Sequence, residues 1–368
     1  MQPLEITLKT LTPLWTGGIE AGKMDRIHET GIIGSLRWWY EAIVRGLGGR
    51  ACDPSTHSCV YDPEKPHNGL CDVCQLFGAT GWRRQFSLRV TSNMAPSWND
   101  NHPINIRPYG RNRDWYLPPG QVGTTTISLT GDLRTRQELK ATLLFMGKYG
   151  NYGARPQLGY GRFQIIDIKN DPGSHNWKVI GEAKPGELPD LRTFTFFNLQ
   201  FQPRHNDWWR QISGVRQLPQ DRQNLVANLV AQHQTVPTTP ALKNYLRFGL
   251  ESDWSSEIAH WLFGTLRGNQ RLRSKVGLSW AYYQQDRWQI DGWIYLPQDK
   301  PGKANQQNIK QQLQQALMLP QNWLSGIGLK SDYNYQAKTN VMPAIYPWET
   351  HTASQIAHFL NQQNQGDA

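Results

Sequence analysis

The sequence predicts an α+β protein in two parts, and three observations lead there. Its 368 residues exceed one ordinary domain of about 150 residues. Residues 1–170 run strand, helix, strand, strand, helix, strand, the order of the ferredoxin-like split βαβ unit. A stretch over 171–190, rich in Asp, Pro, Gly and Lys, then reads as a linker to a second part, 191–368, that repeats the theme weakly.

Each element has a local reason. Leu4–Leu11 alternates Leu4, Ile6 and Leu8 with Glu5, Thr7 and Lys9, the period of a half-buried strand, and stops at Thr12-Pro13. A Gly-rich loop follows from Thr16 to Gly34. Ser35–Leu47 places Leu36, Tyr40, Ile43 and Leu47 at helical spacing and is closed by Gly48-Gly49. Phe86–Val90 and Thr124–Leu129 read as strands, and Arg136–Tyr149 as a helix with Leu139, Leu143 and Met146 on one side. Gly150–Gly161 is a second Gly-rich loop, and Arg162–Ile168 closes the unit. In the second part Phe194–Phe201 is an aromatic strand, Asp221–Gln234 and Ser255–Phe263 are helical, and Lys275–Tyr283 with Trp288–Leu296 forms a hairpin. A Gln-rich helix over Asn305–Met318 and a last one over Ala353–Asn361 complete the reading.

Composition narrows the class. Charged residues are 18 % of the chain, below the ~25 % of ordinary soluble proteins, yet the net charge is +10. Residues 1–170 hold fourteen Arg and six Lys, the remainder ten and nine; Arg offers a planar fork for phosphate and a flat face for bases. Sixteen Trp and fourteen Tyr exclude disorder, collagen and coiled coil. Apolar runs such as Ala141–Met146 fall far short of a membrane span of ~20 residues, so no membrane partner is expected. The opening MQPLEITLKTLTPLW lacks a basic stretch followed by an apolar one, so the expected location is cytoplasmic. No phosphate loop, HExxH, GxSxG or dinucleotide-binding motif occurs. Nucleic acid is the first suspected partner, and no small-molecule substrate is expected.

Cys52, Cys59, Cys71 and Cys74 fall in one 23-residue window, and the chain has no other cysteine. The Cys71-x-x-Cys74 spacing lets two thiolates grip one tetrahedral ion, while Cys52-x6-Cys59 is wider than the usual first pair. A structural Zn²⁺ site is the leading expectation, with His57 or His67 as substitutes for a cysteine; free thiols and a disulfide or redox role are the alternatives.

Two glycine loops carry the binding expectation. In the stretch from Gly150 to Phe163, Gly153, Gly159 and Gly161 would bring the backbone close to a phosphate, Arg155 and Arg162 would neutralise it, and Tyr160 would stack on a base. The alternative is a helix cap and turn. The earlier loop brings Lys23, Arg26 and His28 to an expected helix N-terminus at Gly34-Ser35, whose free N–H groups suit an anion. Arg37 and Arg45 share one helix face with Glu41, so they either meet phosphate or pair with that carboxylate.

These residues carry a resemblance. Leu11-Thr12-Pro13-Leu14-Trp15-Thr16-Gly17-Gly18, then Gly34-Ser35-Leu36-Arg37-Trp38-Trp39-Tyr40-Glu41-Ala42-Ile43-Val44-Arg45, resembles the start of the RAMP proteins of CRISPR systems, and among them is most similar to the first-numbered subunit of the type III-B Cmr effector complex. Cys71-Asp72-Val73-Cys74-Gln75-Leu76-Phe77-Gly78, Gly159-Tyr160-Gly161-Arg162-Phe163, Leu262-Phe263-Gly264 and Arg273-Ser274-Lys275-Val276 extend the likeness into both halves. It implies two tandem ferredoxin-like, RRM-related RAMP domains, the first with a cysteine-bearing insertion at about 50–78. It further implies a non-catalytic subunit that contacts guide crRNA on its 3′ side and target RNA, among other Cmr subunits, in antiviral defence. The implied RNA-binding set is Gly153, Arg155, Gly159, Gly161 and Arg162 with Arg37 and Arg45; Arg273 and Lys275 of the later motif join it. Two rivals stand beside this reading. One is a metal-independent endoribonuclease with His28 as general acid or base and Lys23 or Arg26 steadying the phosphate. The other is a zinc-stabilised scaffold that touches only protein.

Overall fold

In the computed structural model the described residues are 2–20, 22–56, 58–99, 102–249, 255–265, 272–297, 309, 312–313, 316–329, 338–341 and 351–363. The apolar side of β1 (Leu4–Thr10) is fully buried at Leu4, Ile6 and Leu8, and the strand sits inside its sheet. It pairs antiparallel with β5 (Gln121–Thr130) on one side and β6 (Phe163–Lys169) on the other. β2 (Ser87–Pro96) pairs with β5, giving the order β2-β5-β1-β6. Helices α1 (Glu29–Gly46) and α3 (Leu133–Tyr149) cover one face, and the short α2 (Asp72–Phe77) lies between them in sequence. A hairpin, β3 (Ile104–Ile106) with β4 (Trp115–Leu117), leaves this sheet between β2 and β5.

The second sheet is built from β7 (Phe194–Phe201), β8 (Thr235–Val236), β9 (Val276–Leu278), β10 (Ala281–Gln284), β11 (Arg287–Tyr295) and β12 (Lys338–Val341), in the order β12-β7-β11-β10-β8. β9 pairs with the far end of β11, so β9 and β10 act as one interrupted strand. With β8 set aside, both sheets follow one course in space: fourth, first, third, second strand. Helices α4 (Gln220–His233), α5 (Thr239–Asn244), α6 (Ser256–Phe263) and α7 (Pro320–Gly326) belong to this half. α8 (Ala353–Gln363) instead crosses back to the first, where Phe359 meets Phe145 and Tyr149 of α3.

β7 is buried on both faces, which explains its unbroken apolar run. Phe194 and Phe196 point with Trp293 and Tyr295 into the core of the first half, while Phe197, Leu199 and Phe201 point into the second core. Helices α1 and α3 therefore lie between two sheets. The resulting layers are sheet, helices, sheet, helices. Trp38 and Trp39 face the second sheet together, Trp39 buried against Phe194 and Phe196, and Trp38 half-buried against Trp293 at 5.5 Å. Ile104, Ile106 and Leu117 of the hairpin are fully buried in the second core, so a segment of the first half completes the other.

Several boundaries differ from the sequence reading. α1 begins at Glu29, six residues before Ser35, because Ile32 already belongs to its buried stripe. Gly31 lies inside the helix where a Cβ would come within 2.9 Å of Thr16, so only glycine lets the two segments meet. The anion-binding helix end expected at Gly34-Ser35 does not exist there, since both residues are helical. β2 and β5 are ten residues each, longer than expected, and pair along their whole length, from Ser87 opposite Thr130 to Pro96 opposite Gln121. α3 starts at Leu133, with the Asp132 carboxylate accepting from the Thr135 N–H at 2.7 Å. Of the expected helix over Asn305–Met318, residues 309, 312–313 and 316–318 are helical and the rest lie outside the described residues.

One buried ion pair joins the halves. Arg162, at the mouth of β6, places Nε on Asp291 Oδ2 of β11, and Asn198 Nδ2 holds the other carboxylate oxygen at 2.7 Å. The remaining Arg162 donors go to the last carbonyls of α3: Nη2 to Lys148 O at 2.9 Å, and Nη1 to Gly147 O and Gly150 O. Burial opposes the guanidinium's charge, and Asp291 and Tyr282 outweigh it, so its pKa is raised. Arg162→Ala would leave Asp291 buried without a cation, and should lower unfolding stability by ~3–5 kcal/mol in urea titrations.

Candidate functional site

Between the halves lies a cleft of about 430 Å³. One wall is the N-terminal half of α1 (Gly31, Gly34 and Ser35), the second is the loop Gly153–Gln157, and the third is Arg273-Ser274. Trp38, Trp39, Trp293 and Tyr295 form the floor. A Cβ at Gly34 would meet nothing within 4 Å, so this helical glycine opens onto free space.

Arg155 is the cation best placed to act there. Its backbone is left-handed, with φ +60°, a conformation that costs a non-glycine residue about 1 kcal/mol or more. The guanidinium lies 3.9 Å over the Trp15 ring. Among the described residues it has no carboxylate partner, and partial burial lowers its pKa. Arg273 is exposed and also lines the cleft. Two flat cations beside an aromatic floor suit a phosphodiester chain with unpaired bases.

Other expected contacts are corrected. Tyr160 is 1 % exposed and donates its hydroxyl to Pro118 O at 2.6 Å, so it cannot stack on a base. Arg162 is the buried tie described above. Gly153, Gly159 and Gly161 serve packing: a Cβ at Gly161 would meet Tyr152 O at 2.0 Å, and one at Gly159 would meet Trp280 at 2.3 Å. Their N–H groups go to Ser35 Oγ, Pro156 O and Pro13 O, leaving none for a phosphate. Arg37 and Arg45 take the pairing alternative, both on Glu41, and Arg45 also donates to Pro189 O at 3.0 Å. Lys275 is buried, with Nζ on Trp261 O at 3.2 Å. Lys23 is exposed and paired with Glu20 at 2.6 Å, and Arg26 is exposed. His28, at the start of α1, has Nε2 on Asp25 Oδ1 at 2.8 Å, which lowers the Asp25 pKa.

The four cysteines converge. Their sulfurs lie within 4.8 Å of one another, with Cys52 and Cys74 Sγ 3.5 Å apart. A tetrahedral ion with ~2.3 Å bonds to sulfur needs separations of about 3.8 Å, so the donor set fits one metal ion. The backbone N–H groups of Cys52 and Cys74 both donate to Cys71 Sγ at 3.4 Å, and that of Cys71 to Cys59 Sγ. The hydrogen bond shared with Cys74, set against burial, favours a thiolate at Cys71. Arg37 Nη2 reaches Cys74 Sγ at 3.3 Å, placing a cation beside the sulfur cluster. His67 is exposed and outside this cluster, and His57 lies outside the described residues.

Two participants have no motif to announce them. Asp291 becomes meaningful only once β11 is set beside β6. Lys243 of α5 is 3 % exposed, with Nζ on Gln157 O at 3.0 Å and Ser274 Oγ at 3.1 Å, joining two walls of the cleft. Burial, with a smaller contribution from Arg247, pushes its pKa down to about 7.

Over residues 7–164 the chain matches the model of the RAMP superfamily. No curated protein matches it. Among solved structures it is similar to apo Cmr1 from Pyrococcus furiosus, at 14 % identity over 83 % of this chain and 91 % of that one, with a TM-score of 0.45. It is also similar to a chain of the type III-B Cmr-beta complex bound to cognate target RNA (12 % identity, 80 % and 95 % coverage, TM-score 0.39). A chain of a type IV-B CRISPR complex shows 15 % identity, 48 % and 96 % coverage and a TM-score of 0.32.

Lys243 gives the fold a pH signature. Its folded pKa lies below the unfolded value of 10.5, so between about pH 7 and 10 the unfolded chain holds a proton that the folded one lacks. Unfolding free energy should therefore rise with pH across that window, and Lys243→Met should flatten the rise in chemical denaturation at stepped pH.

Proposed function

We propose that this chain is a non-catalytic RNA-binding subunit of a type III CRISPR effector ribonucleoprotein, holding guide crRNA and target RNA among the other subunits of a Cmr-type complex. The observation that carries the reading is the cleft, lined by tryptophans together with a ring-stacked Arg155, which has no carboxylate partner among the described residues, and an exposed Arg273. Its α1 wall belongs to the segment with the superfamily match. On this reading the two halves, 1–170 and 191–368 with a linker at 171–190, are tandem ferredoxin-like, RRM-related domains. The shared strand course of the two sheets and their antiparallel pairing support that.

Full-length protein should bind single-stranded RNA in anisotropy titrations, with a salt slope near −0.7 per neutralised phosphate. Arg155→Glu and Arg273→Glu should each weaken binding by about tenfold, in line with the ~1.5–3 kcal/mol of a charged hydrogen bond. Gly34→Glu should do the same with the fold intact, because its side chain enters open space in the cleft. Incubation with labelled repeat RNA in EDTA should leave it uncut; cleavage lost in His28→Ala would replace this reading with the endoribonuclease. Full-strength binding by all three cleft variants would defeat the RNA assignment.

The cysteine cluster at about 50–78 is read as a structural Zn²⁺ site in an insertion of the first domain. Cys52, Cys59, Cys71 and Cys74 would hold the ion and close its coordination sphere, so it would tie loop to helix and supply no reactive position. Elemental analysis should find zinc equimolar with the chain, lost in Cys71→Ser together with thermal stability.

A further inference from the structure

The cleft does not account for a second cationic and aromatic patch. Phe248, in the π-helical turn Tyr245–Gly249 that follows α5, is 50 % exposed. Two guanidinium groups lie against its ring, Arg111 at 4.2 Å from the hairpin loop and Arg247 at 5.1 Å. Among the described residues no carboxylate pairs with either, and the charge of Arg111 adds to burial in lowering the Arg247 pKa. Beside them Tyr109 is 85 % exposed, although its backbone is pinned at both ends. Its N–H donates to Ser213 Oγ at 2.7 Å, and its carbonyl accepts from Asn244 Nδ2 at 3.3 Å. Like charges held together with no carboxylate partner among the described residues, next to rings held out in water by a fixed backbone, suit an anion with flat groups attached.

The patch is continuous with the cleft. Arg247 follows Lys243 by one turn, about 6 Å along the axis, and Lys243 holds the cleft residues Gln157 and Ser274. Arg247 Nη1 also donates to Gly264 O at 3.2 Å, and Gly264 packs directly on the backbone of Leu272–Ser274, the segment that carries Arg273. The segment that carries Arg273 and the turn that carries Arg247 and Phe248 are thus linked through Gly264.

Resting on the RNA-binding reading above, we propose that Arg111, Arg247, Phe248 and Tyr109 form a second contact surface for the same single strand, with the aromatic rings receiving bases and the guanidinium groups the phosphates. It lies on the second half and on the hairpin that completes it, so one RNA strand spans both halves.

Oligouridines of about four and about sixteen nucleotides separate the two surfaces, because only the longer reaches past the cleft. In anisotropy titrations with full-length protein, Arg111→Ala and Phe248→Ala should each weaken the long oligomer about tenfold and leave the short one unchanged. Arg111→Ala combined with Arg247→Ala should reduce the long oligomer's salt slope by roughly 1.4. Arg111 and Phe248 are exposed, so their variants test the idea even where Arg247→Ala disturbs the fold. Long-oligomer affinity that survives Arg111→Ala and Phe248→Ala but falls with Arg155→Glu would remove the patch and leave the cleft standing. Loss of co-purifying effector subunits with RNA affinity intact would make it a protein interface instead. If Arg155→Glu has no effect on either oligomer, the cleft reading fails and this one with it.

Discussion

The buried pair between Arg162 and Asp291 is the constraint on which the arrangement of the two halves depends. A guanidinium out of water needs its charge balanced and its five donors satisfied, and no single element supplies both. Asp291 on β11 balances the charge, while the carbonyls at the end of α3 take the other face of the group. The helix end is itself a region of partial negative charge with unpaired carbonyls, so the same side chain settles two local problems. Once Arg162 is placed, the end of α3, the start of β6 and the middle of β11 are mutually fixed. The glycine loop between α3 and β6 then has little freedom, and Arg155 is presented from a rigid base.

The aromatic layer works with that tie. Trp39, Phe145 and Tyr149 from the first half interleave with Phe194, Phe196 and Trp293 from the second, ring centroids 5.1–6.3 Å apart and often edge to face. Rings of this size bury much apolar area and gain further from their edge-to-face geometry. This is where much of the aromatic excess goes: it forms the filling between α1 and α3 on one side and the second sheet on the other. The cleft is the place where this filling reaches the surface, which is why its floor is tryptophan.

What the sequence disclosed follows from how local each signal is. β1, α3 and β6 were legible because their periodicity is decided by one core. β7 was legible as a strand from its Phe run, but nothing in that run says its two faces belong to different cores. The cysteines were legible as a group because spacing in the chain foretold closeness in space. The glycine loop was misread for a physical reason. Glycine permits close approach to any neighbour, and here the neighbours are Tyr152, Trp280 and Leu14 of the same chain. Arg162 and Arg155, seven residues apart, have opposite fates, one buried against a carboxylate 129 positions away and one stacked on Trp15 at the surface. Sequence cannot separate them, because the deciding partner is non-local.

The same reasoning decides where bases can stack. In RRM-like modules the open sheet face supplies aromatic platforms. Here the open face of the first sheet carries Glu5, Thr7 and Lys9 on β1, set beside Ser128, Thr126 and Thr124 on β5 and these in turn beside Arg89, Thr91 and Asn93 on β2. None of these nine is aromatic, and the threonine rows suit a solvated, twisted sheet. The second sheet has no open face at β7, which is buried throughout. Neither sheet therefore offers a stacking platform at its centre. Among the described residues, rings accompanied by arginines and open to solvent include Trp38 in the cleft and Tyr109 and Phe248 beyond it. On the proposed reading, recognition would lie not on a sheet surface but at the seam between the halves, where the ion pair and the aromatic filling fix the walls of the cleft.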